Sequence, residues 1–528
     1  MACPQRNNTP VSKLETPLSD LDSSLGSYPH GFDHKRPDRS NRYHGRHGLK
    51  RTLMCWLHIG VVLATTLEVA HAERGASEPS ANIQAAVQPA SKPGDKAAGR
   101  KFGELIGLGV KFSQGQPMRE LPTLTELGVR WVREDVGWKY VETSPGQYRF
   151  PPDFVERLKF YREHRIRVVY LLAYGNSVAY PATPEAPNRP VDPEAFGRYA
   201  VAAARLLREA GVSFVLEVWN EPHNSLRPRF GGAWNGKPPS PWVDHYLKMV
   251  AETVRQVKAF DPSIKILDDD DMWIIHYWFL EAGLPRELDG FAVHPYAPRG
   301  PEKAAVDRLT DWCRPFEVVD DHSSFQSAVH RLRDQGLNKL GKVPEMWITE
   351  WGWAIGENTP RGPVTEDMLA GLLPRAFIMG AAAGVEALLW FSAQDTVDGP
   401  MGLTANDGRR RMSYFAFKVM NQQLGDYRLV RQVAGMDHPT SGVQAYLFQG
   451  ERDYKLVIWN IDADRQALEL SGPLRSARAT DVLGQPVPVE RRTRNTARAV
   501  TFGASPIYVT RVPGNDQIDK ALAKQLAR

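Results

Sequence analysis

Short apolar runs alternate with amphipathic stretches of helical period from Lys101 onward, and this alternation constrains the fold more than any other feature of the chain. The pattern is typical of repeated βα units that build a parallel sheet. Eight runs qualify as strands, at 105–112, 129–136, 166–174, 214–220, 264–270, 290–297, 345–353 and 385–393. Eight strands, each followed by a helix, predict a closed (β/α)8 barrel. An open doubly wound sheet is the alternative, but no glycine-rich nucleotide loop follows the first strand.

The stretches outside this pattern predict how the rest of the chain is organised. Short alternating strands without helices indicate a β-sandwich over 426–512, so the barrel should occupy 101–425. Residues 513–528 predict a polar tail that forms one amphipathic turn or none. Residues 73–100 are rich in Ala, Pro, Ser and Lys without apolar periodicity, which indicates a flexible linker.

The first 72 residues carry the parts of a secretory signal. A polar leader ends in the basic "HGLKR", the apolar run 52–67 follows, and Ala70 and Ala72 form an Ala-x-Ala cleavage pattern. The apolar run is shorter than the ~20 residues that span a bilayer, which favours a signal peptide over 1–72 against an inner-membrane anchor at 52–67. We therefore expect an exported protein, periplasmic or secreted, without stable membrane insertion after signal cleavage.

Charge and motif content argue against several classes of function. The formal net charge is +5, and residues 1–72 supply +3 of it with nine Lys and Arg against six Asp and Glu, so little charge remains to attract nucleic acid. No His-Glu-x-x-His stretch or His-rich spacing predicts zinc. The aspartates Asp268–Asp271 in "LDDDDMW" could hold calcium, but helix capping and contacts with substrate hydroxyls are the favoured interpretation. We expect neither a metal nor a cofactor.

Two glutamates interrupt apolar, aromatic-flanked strands at the point where those strands end. Glu221 stands in "VWNEPH" at the end of the fourth predicted strand, and Glu350 stands in "WITEWGW" at the end of the seventh. The carboxyl ends of barrel strands surround one pocket, so the two side chains can converge there. Cleavage of a glycosidic bond requires such a pair, because one carboxyl protonates the leaving oxygen while the other attacks the anomeric carbon or activates water.

With these motifs the chain resembles a clan A glycoside hydrolase, in which Asn-Glu, usually followed by Pro, ends the fourth strand and a second Glu ends the seventh. The matching residues are Asn220-Glu221-Pro222 and Thr349-Glu350-Trp351. The resemblance implies a retaining enzyme in which Glu221 is the acid/base, Glu350 is the nucleophile and Asn220 hydrogen-bonds the sugar 2-hydroxyl. In that cycle Glu221 needs a raised pKa while Glu350 stays ionised.

The resemblance covers roughly residues 101–425, and the sandwich is similar to that of families 39 and 30 of the clan. Family 39, which includes β-xylosidases, α-iduronidases and hydrolases of bacterial exopolysaccharides, is the placement that we favour. It implies further substrate-binding roles for Arg133, His294, Tyr296 and Trp390, the last as a stacking floor. The third strand departs from the pattern, because some clan members carry a His where this chain has "LLAYGNS"; Tyr174 and Asn176 are the candidates there.

Tryptophans are a softer signal for sugar binding. Aromatic rings stack on sugar faces, which makes subsite walls plausible at several positions. These are Trp138, Trp234, Trp273, Trp351, Trp353 and Trp390. The Gly- and Pro-rich insertions 229–242 and 297–324 are expected on the catalytic face.

The sequence therefore predicts a retaining glycoside hydrolase whose partner is a polysaccharide or oligosaccharide. Export and long loops favour endo action on a bacterial exopolysaccharide. The runner-up is an exo-acting β-xylosidase or related β-glycosidase, which should have a closed pocket. A rival of another class is a non-catalytic polysaccharide-binding protein, although binding alone needs no pair of glutamates.

Overall fold

A computed structural model describes residues 99–298, 300–304, 324–491 and 498–526. The predicted signal peptide, nearly all of the linker and most of the insertion 297–324 lie outside the described residues. Within the described ranges, no helix combines the length and the apolar character that crossing a membrane demands.

Among the described residues, twelve strands precede the C-terminal sheets. In chain order they are β1 (Ile106–Gly109), β2 (Trp131–Asp135), β3 (Glu142–Ser144), β4 (Gln147–Tyr148), β5 (Arg167–Leu172), β6 (Phe214–Val218), β7 (Ile266–Asp270), β8 (Gly290–Val293), β9 (Glu345–Trp351), β10 (Asn358–Thr359), β11 (Gly362–Pro363) and β12 (Leu388–Trp390). Two short hairpins, β3–β4 and β10–β11, stand apart from the main sheet.

The other eight strands close into a parallel barrel in which each strand pairs with its successor and β12 pairs with β1. All eight lie within the runs predicted from the sequence, which confirms the (β/α)8 barrel. Strand β6 is therefore the fourth and β9 the seventh. Because the strands are parallel, their carboxyl ends meet at one end of the barrel, which we call the mouth.

Helices cover the outside of the barrel. They are α1 (Thr123–Glu126), α2 (Trp138–Val141), α3 (Pro152–Glu163), α4 (Pro193–Glu209), α5 (Pro222–Phe230), α6 (Pro241–Phe260), α7 (Trp273–Ala282), α8 (Phe325–Leu340), α9 (Glu366–Ala382) and α10 (Met412–Leu424). Helix α4 begins as its sequence suggests, because the Asp192 side chain accepts a hydrogen bond from the Ala195 N–H and caps the first turn.

Side chains alternate along each strand between the barrel axis and the helices. An apolar inner cluster, separate from the main core, fills the barrel below the mouth and contains Trp131, Val169, Val215, Leu267, Ala292, Trp347, Ala387 and Leu389. Two residues further along five of these strands stand buried polar side chains, namely Arg133, Glu217, Asp269, His294 and Thr349. Period two therefore places a polar layer directly above the apolar one.

The C-terminal strands form two antiparallel sheets, as predicted for a β-sandwich. They are β13 (Arg428–Ala434), β14 (Val443–Gln449), β15 (Tyr454–Asn460), β16 (Gln466–Glu469), β17 (Arg478–Thr480), β18 (Val489–Arg491), β19 (Arg498–Phe502) and β20 (Ile507–Val512). Five strands make one sheet, in the order β13-β14-β15-β20-β17, and three make the other, β16-β19-β18.

The chain then continues into helix α11 (Asn515–Leu526), which is longer than the single turn expected of a polar tail. Ile518 and Leu522, one turn apart, bury their side chains in the core of the sandwich. This apolar contact explains why the segment is helical, because short helices in proteins owe most of their stability to such packing.

A buried ion pair joins the sandwich to the barrel. Glu302, in the segment after β8, is fully buried and accepts hydrogen bonds from Arg375 Nε of α9 and from Trp459 Nε1 of β15, both at 2.8 Å. Arg375 Nη1 also donates to the Ala504 carbonyl at 3.3 Å. We call Glu302, Arg375 and Trp459 the junction clamp.

Candidate active site

Glu221 reaches the mouth through an unusual backbone turn. It directly precedes α5 and has a φ of +43°, in the left-handed region that residues other than glycine rarely adopt. Its N–H donates to Asp269 Oδ1 at 2.6 Å, which ties this turn to the neighbouring strand β7. Pro222 is the first residue of α5, where a missing N–H costs no helical hydrogen bond.

Glu350 owes its position to an irregularity in β9. This strand advances three residues, from Ile348 to Trp351, while β12 advances two, from Leu388 to Trp390. The extra residue interrupts the alternation of faces. As a result Thr349 and its neighbour Glu350 both join the polar network at the mouth.

The two glutamates converge around His294. Carboxylate oxygens of Glu221 and Glu350 and a ring nitrogen of His294 all lie within 4.8 Å of one another. His294 Nδ1 is 2.9 Å from Glu221 Oε1, and the Tyr296 hydroxyl donates to Glu350 Oε2 at 3.1 Å. Four residues predicted for the site from three different strands are thus brought together.

Arg133 connects the glutamates to the polar layer. Its Nε and Nη2 bind both carboxylate oxygens of Glu217, at 2.8 and 3.0 Å, and its Nη1 binds Glu350. Nη2 also donates to Asn220 Oδ1 at 2.8 Å. Arg133 does not pair with its neighbour Glu134, because Glu134 bonds to Arg157 at 2.7 Å on the helix side of the strand.

Glu217 is a site residue that sequence reasoning missed. It is fully buried, and besides its bonds to Arg133 it accepts the Thr349 hydroxyl at 2.9 Å. Thr349 Oγ1 in turn lies 3.0 Å from His294 Nε2, so Glu217 is linked to both catalytic candidates. The sequence does contain a signal for this residue, because Glu217 is a charged residue inside an apolar strand. It stands two residues after Val215 and therefore faces the same side of the strand, towards the barrel axis.

The pKa of Glu221 differs from the expectation. Burial favours its neutral form, but the hydrogen bond and charge of His294, with the charges of His223 and Arg133, outweigh burial and lower the pKa to about 2. Burial also opposes the charge of His294, yet Asp269 and Glu350 raise its pKa well above the ordinary value of 6.5. In the free site the shared proton therefore resides on His294, and the predicted raised pKa of Glu221 is not found.

The four aspartates of "LDDDDMW" do not form one carboxylate cluster. Asp268 pairs with His276 at 3.0 Å, and Asp269 joins the polar layer, with its Oδ2 3.2 Å from His294 Nε2. Asp270 and Asp271 lie 3.1 and 3.4 Å from His223 Nδ1, beside the mouth. Each of the four carboxyl groups therefore lies beside a histidine, with Asp270 and Asp271 sharing His223.

His223 is a further ionisable group that sequence reasoning did not single out. Burial opposes its charge, but the charge and hydrogen bond of Asp270, with the charges of Asp271 and Glu221, raise its pKa to about 10. A positive His223 two residues after Glu221 adds to the field that keeps Glu221 ionised.

Trp390 does not face the mouth. Ala387 and Leu389 of the same strand belong to the inner cluster, so Trp390 points to the outer core, where it is fully buried and packs 5.8 Å from Trp353. Phe391, the next residue, has the phase of the inner cluster, and a Cβ on Gly109 of β1 would lie 3.6 Å from its ring. Phe391 rather than Trp390 therefore contributes the aromatic ring of the eighth strand.

Most of the other tryptophans are core residues as well. Trp351 is fully buried and stacks on Phe325 at 4.8 Å, which removes it from the set of substrate contacts. Trp138, Trp273 and Trp353 are likewise buried. Trp234 is 45% exposed, in the loop between α5 and α6, and stays a candidate sugar contact.

Tyr174 and Asn176, the two candidate substrate contacts after the third strand, differ in their exposure. Tyr174 is 42% exposed beside the mouth, with its ring edge-on to Trp219 at 5.7 Å. Asn176 is fully buried, and its amide binds the Glu142 carbonyl and the N–H groups of Val178 and Ala179. The structure therefore places Tyr174 at the site and makes Asn176 a residue that shapes the loop.

Comparisons with known proteins agree with this architecture. No family model matches the chain, and no curated protein matches it in sequence. The chain is similar to the solved structure of a family 39 glycoside hydrolase from the gut symbiont Bacteroides cellulosilyticus WH2, with a TM-score of 0.61, 18% identity, and coverage of 78% of this chain and 82% of that one. At this identity the likeness establishes the fold, and it confirms the resemblance to family 39 at that level.

Two further structures show weaker likeness. The GH39 enzyme from Xanthomonas axonopodis pv. citri has a TM-score of 0.49 and 15% identity over 79% of this chain and 95% of that one. A GH30 endoxylanase from Clostridium papyrosolvens C71 has a TM-score of 0.48 and 11% identity over 78% and 97%. The chemistry of the site must therefore be argued from its own residues.

Proposed function

We propose that the chain is a retaining glycoside hydrolase that acts on a polysaccharide or oligosaccharide. The observation that carries the proposal is the approach of the Glu221 and Glu350 carboxylates, with oxygens within 4.8 Å of each other. Retaining enzymes hold their two carboxyl groups ~5–5.5 Å apart, whereas inverting enzymes keep ~6.5–9.5 Å to admit a water molecule. The short separation favours direct attack by a carboxylate on the sugar.

Glu350 is the nucleophile in this mechanism. Arg133 binds one of its oxygens and the Tyr296 hydroxyl binds the other, so donors on both sides fix the orientation of the carboxylate. A carboxylate oxygen of Glu350 attacks the anomeric carbon as the bond to the leaving oxygen breaks. The product of this step is a glycosyl-enzyme with an ester bond to Glu350.

Glu221 and His294 together supply the acid. The proton on His294 Nδ1 lies on the hydrogen bond to Glu221 Oε1, 2.9 Å long, so it can pass to Glu221 as Glu221 protonates the leaving oxygen. Substrate that excludes water from the mouth favours this transfer, because desolvation disfavours the separated charges of the pair. In the second step Glu221 accepts a proton from the water that attacks the anomeric carbon.

We further propose that the substrate is long and that the enzyme acts within the chain, on a bacterial exopolysaccharide. Three aromatic side chains after strands β2, β5 and β6 support this, because they are exposed on the face of the mouth. They are Tyr140, Tyr174 and Trp234, with 59%, 42% and 45% of their surfaces accessible. Exposed rings can stack on the faces of successive sugar units, and the signal pattern of the first 72 residues favours export.

The test compares wild type with Glu350→Gln on a panel of bacterial exopolysaccharides. Reducing ends, product lengths and the anomeric configuration of new ends are measured, and we expect the variant to lose activity by about 10⁴-fold or more. Glu345→Gln is the matched control, since it makes the same change on the same strand at the end away from the mouth.

Each outcome bears on a different part of the proposal. Equal release by both proteins contradicts the role of Glu350, and inverted products contradict the retaining mechanism. Release of single sugars alone favours the exo-acting alternative. Binding without any release by wild type favours a non-catalytic polysaccharide-binding protein.

A further inference from the structure

Lys111 lies on the wall of the mouth that the first and eighth strands form. It follows Gly109 by two residues, and Gly109 faces the axis beside Phe391. The Lys111 ammonium stands over the Phe391 ring, 5.3 Å from its centre. The side chain is therefore held at the place where a sugar bound at the mouth would meet this wall.

Lys111 differs from the other cations at the mouth because no carboxylate among the described residues neutralises its charge. Arg133, His223 and His294 each have carboxylate oxygens within 4.0 Å. Lys111 Nζ has no carboxylate at that distance and no hydrogen-bond acceptor among the residues that the structure describes. An ammonium group has three donors, and the face of a ring satisfies none of them as a hydrogen-bond acceptor would.

Lys111 does not serve to balance the charge of a neighbouring carboxylate. Asp135, at the end of the adjacent strand β2, accepts the Gln114 amide at 3.3 Å instead, and Asp395, after the eighth strand, pairs with Arg411 at 2.6 Å. The acidic side chains Glu221, Asp270 and Asp271 come from the fourth and fifth strands, which lie across an eight-stranded barrel from the eighth and the first. Within the described part of the chain, the mouth therefore has an ammonium without a carboxylate partner at Lys111, whereas the carboxylates on the opposite side are already paired with His223 and His294.

We propose that Lys111 binds an anionic substituent, a carboxylate or a sulfate, on the sugar that occupies the mouth, and that the substrate is an acidic polysaccharide. The inference rests on the proposed glycosidase activity and adds the substrate class. A sugar whose acidic group faces Lys111 forms charge-assisted hydrogen bonds and keeps that group away from the carboxylates on the opposite side of the mouth. A neutral sugar leaves the ammonium without a strong acceptor.

The test uses activated sugars that differ in the substituent on C5. Wild type is treated with 2-deoxy-2-fluoro-β-D-glucuronyl fluoride, the matching glucosyl fluoride and its 6-sulfate, and the galactose series is treated likewise. Labelling of Glu350 is followed by peptide mass spectrometry. We expect at least one acidic reagent to label about tenfold faster or more than its neutral match, as for hydrogen bonds between charged groups.

Three variants connect that preference to Lys111. Lys111→Met should abolish it and Lys111→Arg should keep it. Lys139→Met is the matched control, because Lys139 is an exposed lysine on the same face whose ammonium also stands over a ring, that of Tyr140 at 5.2 Å. We expect Lys139→Met to label like wild type, with the preference intact.

The outcomes separate this inference from the proposed function. Equal labelling by acidic and neutral reagents, or a preference that survives in Lys111→Met, overturns the role of Lys111 while Glu350 labelling upholds the glycosidase. Polysaccharide cleavage with no labelling by any acidic reagent also overturns it. Neither labelling nor cleavage by wild type refutes the proposed function itself. Preference for the uronyl or for the sulfated reagent identifies which anion is bound.

Discussion

Two buried arginines in this molecule have opposite balances of charge around them. At the junction clamp, Arg375 pairs with the single carboxylate of Glu302, whose oxygens also take the Trp459 N–H. At the mouth, Arg133 lies within 4.0 Å of three carboxyl groups, those of Glu217, Asp269 and Glu350. At the junction clamp one carboxylate therefore balances one guanidinium, whereas at the mouth the carboxyl groups outnumber the cations beside them.

This difference in charge balance distinguishes an ion pair that stabilises the fold from a cluster that can take part in proton transfer. In the buried pair at the junction clamp, each charged group has one partner and no carboxylate oxygen is left without a donor. Such a pair holds secondary-structure elements together. A surplus of carboxyl groups forces protons to be shared and shifts pKa values. At the mouth, burial opposes ionisation of Glu217, but Arg133 and the hydrogen bond with Asp269 lower its pKa. Burial and the neighbouring Glu217 raise the pKa of Asp269. Substitutions in the two clusters should therefore have different consequences.

The largest effect is expected at the clamp. Arg375→Met leaves Glu302 buried without its cation, which should lower the free energy of unfolding by about 3–5 kcal/mol. Urea denaturation measures this, and kcat of the folded fraction should stay within about twofold of wild type. A large fall in kcat with unchanged stability would show that the clamp belongs to the chemistry.

The corresponding change at the mouth should act on the rate. Arg133→Met removes a donor from Glu350 and should lower kcat by about 10²–10³-fold, as other losses of a preorganised donor do. The measurement is kcat per folded enzyme on whichever polysaccharide wild type cleaves. Arg130→Met, at the exposed residue just before β2, is the control and should be neutral; equal rates for all three proteins would refute the comparison.

The His223 cluster should make stability depend on pH in the alkaline range. The pKa of His223 is raised from 6.5 to about 10, so the folded state binds more protons than the unfolded state between these values. The contribution is complete below pH 6.5 and is lost as pH rises towards 10. Wild type should therefore lose more stability than His223→Gln across this window, by up to about 5 kcal/mol at about 1.4 kcal/mol per pKa unit, measured by denaturation at each pH. Parallel curves would contradict the assignment.

A smaller, paired test removes one hydrogen bond from a carboxylate in each cluster. Tyr296→Phe takes a donor from Glu350, and Trp459→Phe takes one from Glu302. Trp459→Phe should cost about 1–3 kcal/mol of stability and leave kcat unchanged. Tyr296→Phe should lower kcat by about tenfold and change stability less, because Glu350 keeps its bond to Arg133; the reverse result would abolish the distinction between the clusters.

The sequence predicted the barrel and its strands better than it predicted which face of a strand a single residue occupies. Eight runs of apolar residues are strong periodic signals, and Glu221 and Glu350 stand out because they end such runs. Trp390 was misplaced by one position, since the end of a strand does not by itself tell which face a residue takes. Asn176 was misassigned because its loop folds back on Glu142, a contact 34 residues away that no local pattern encodes.

The electrostatics were the least predictable part. Glu221 was expected to have a raised pKa because the retaining cycle needs a protonated acid at that position. The structure brings His294, 73 residues further along the chain, to its oxygen, and the sign of the shift reverses. Such a pairing depends on the register of two strands and becomes visible only once both are placed.

The apolar cluster beneath the polar layer has a consequence for water. Trp131 and Trp347 meet edge to face at 4.9 Å below the charged residues and close the barrel from underneath. Solvent can therefore reach the shared proton from one direction only. A sugar that covers the mouth would cut the last route for bulk water, so the molecule that attacks the glycosyl-enzyme must enter by the opening that the leaving group vacates.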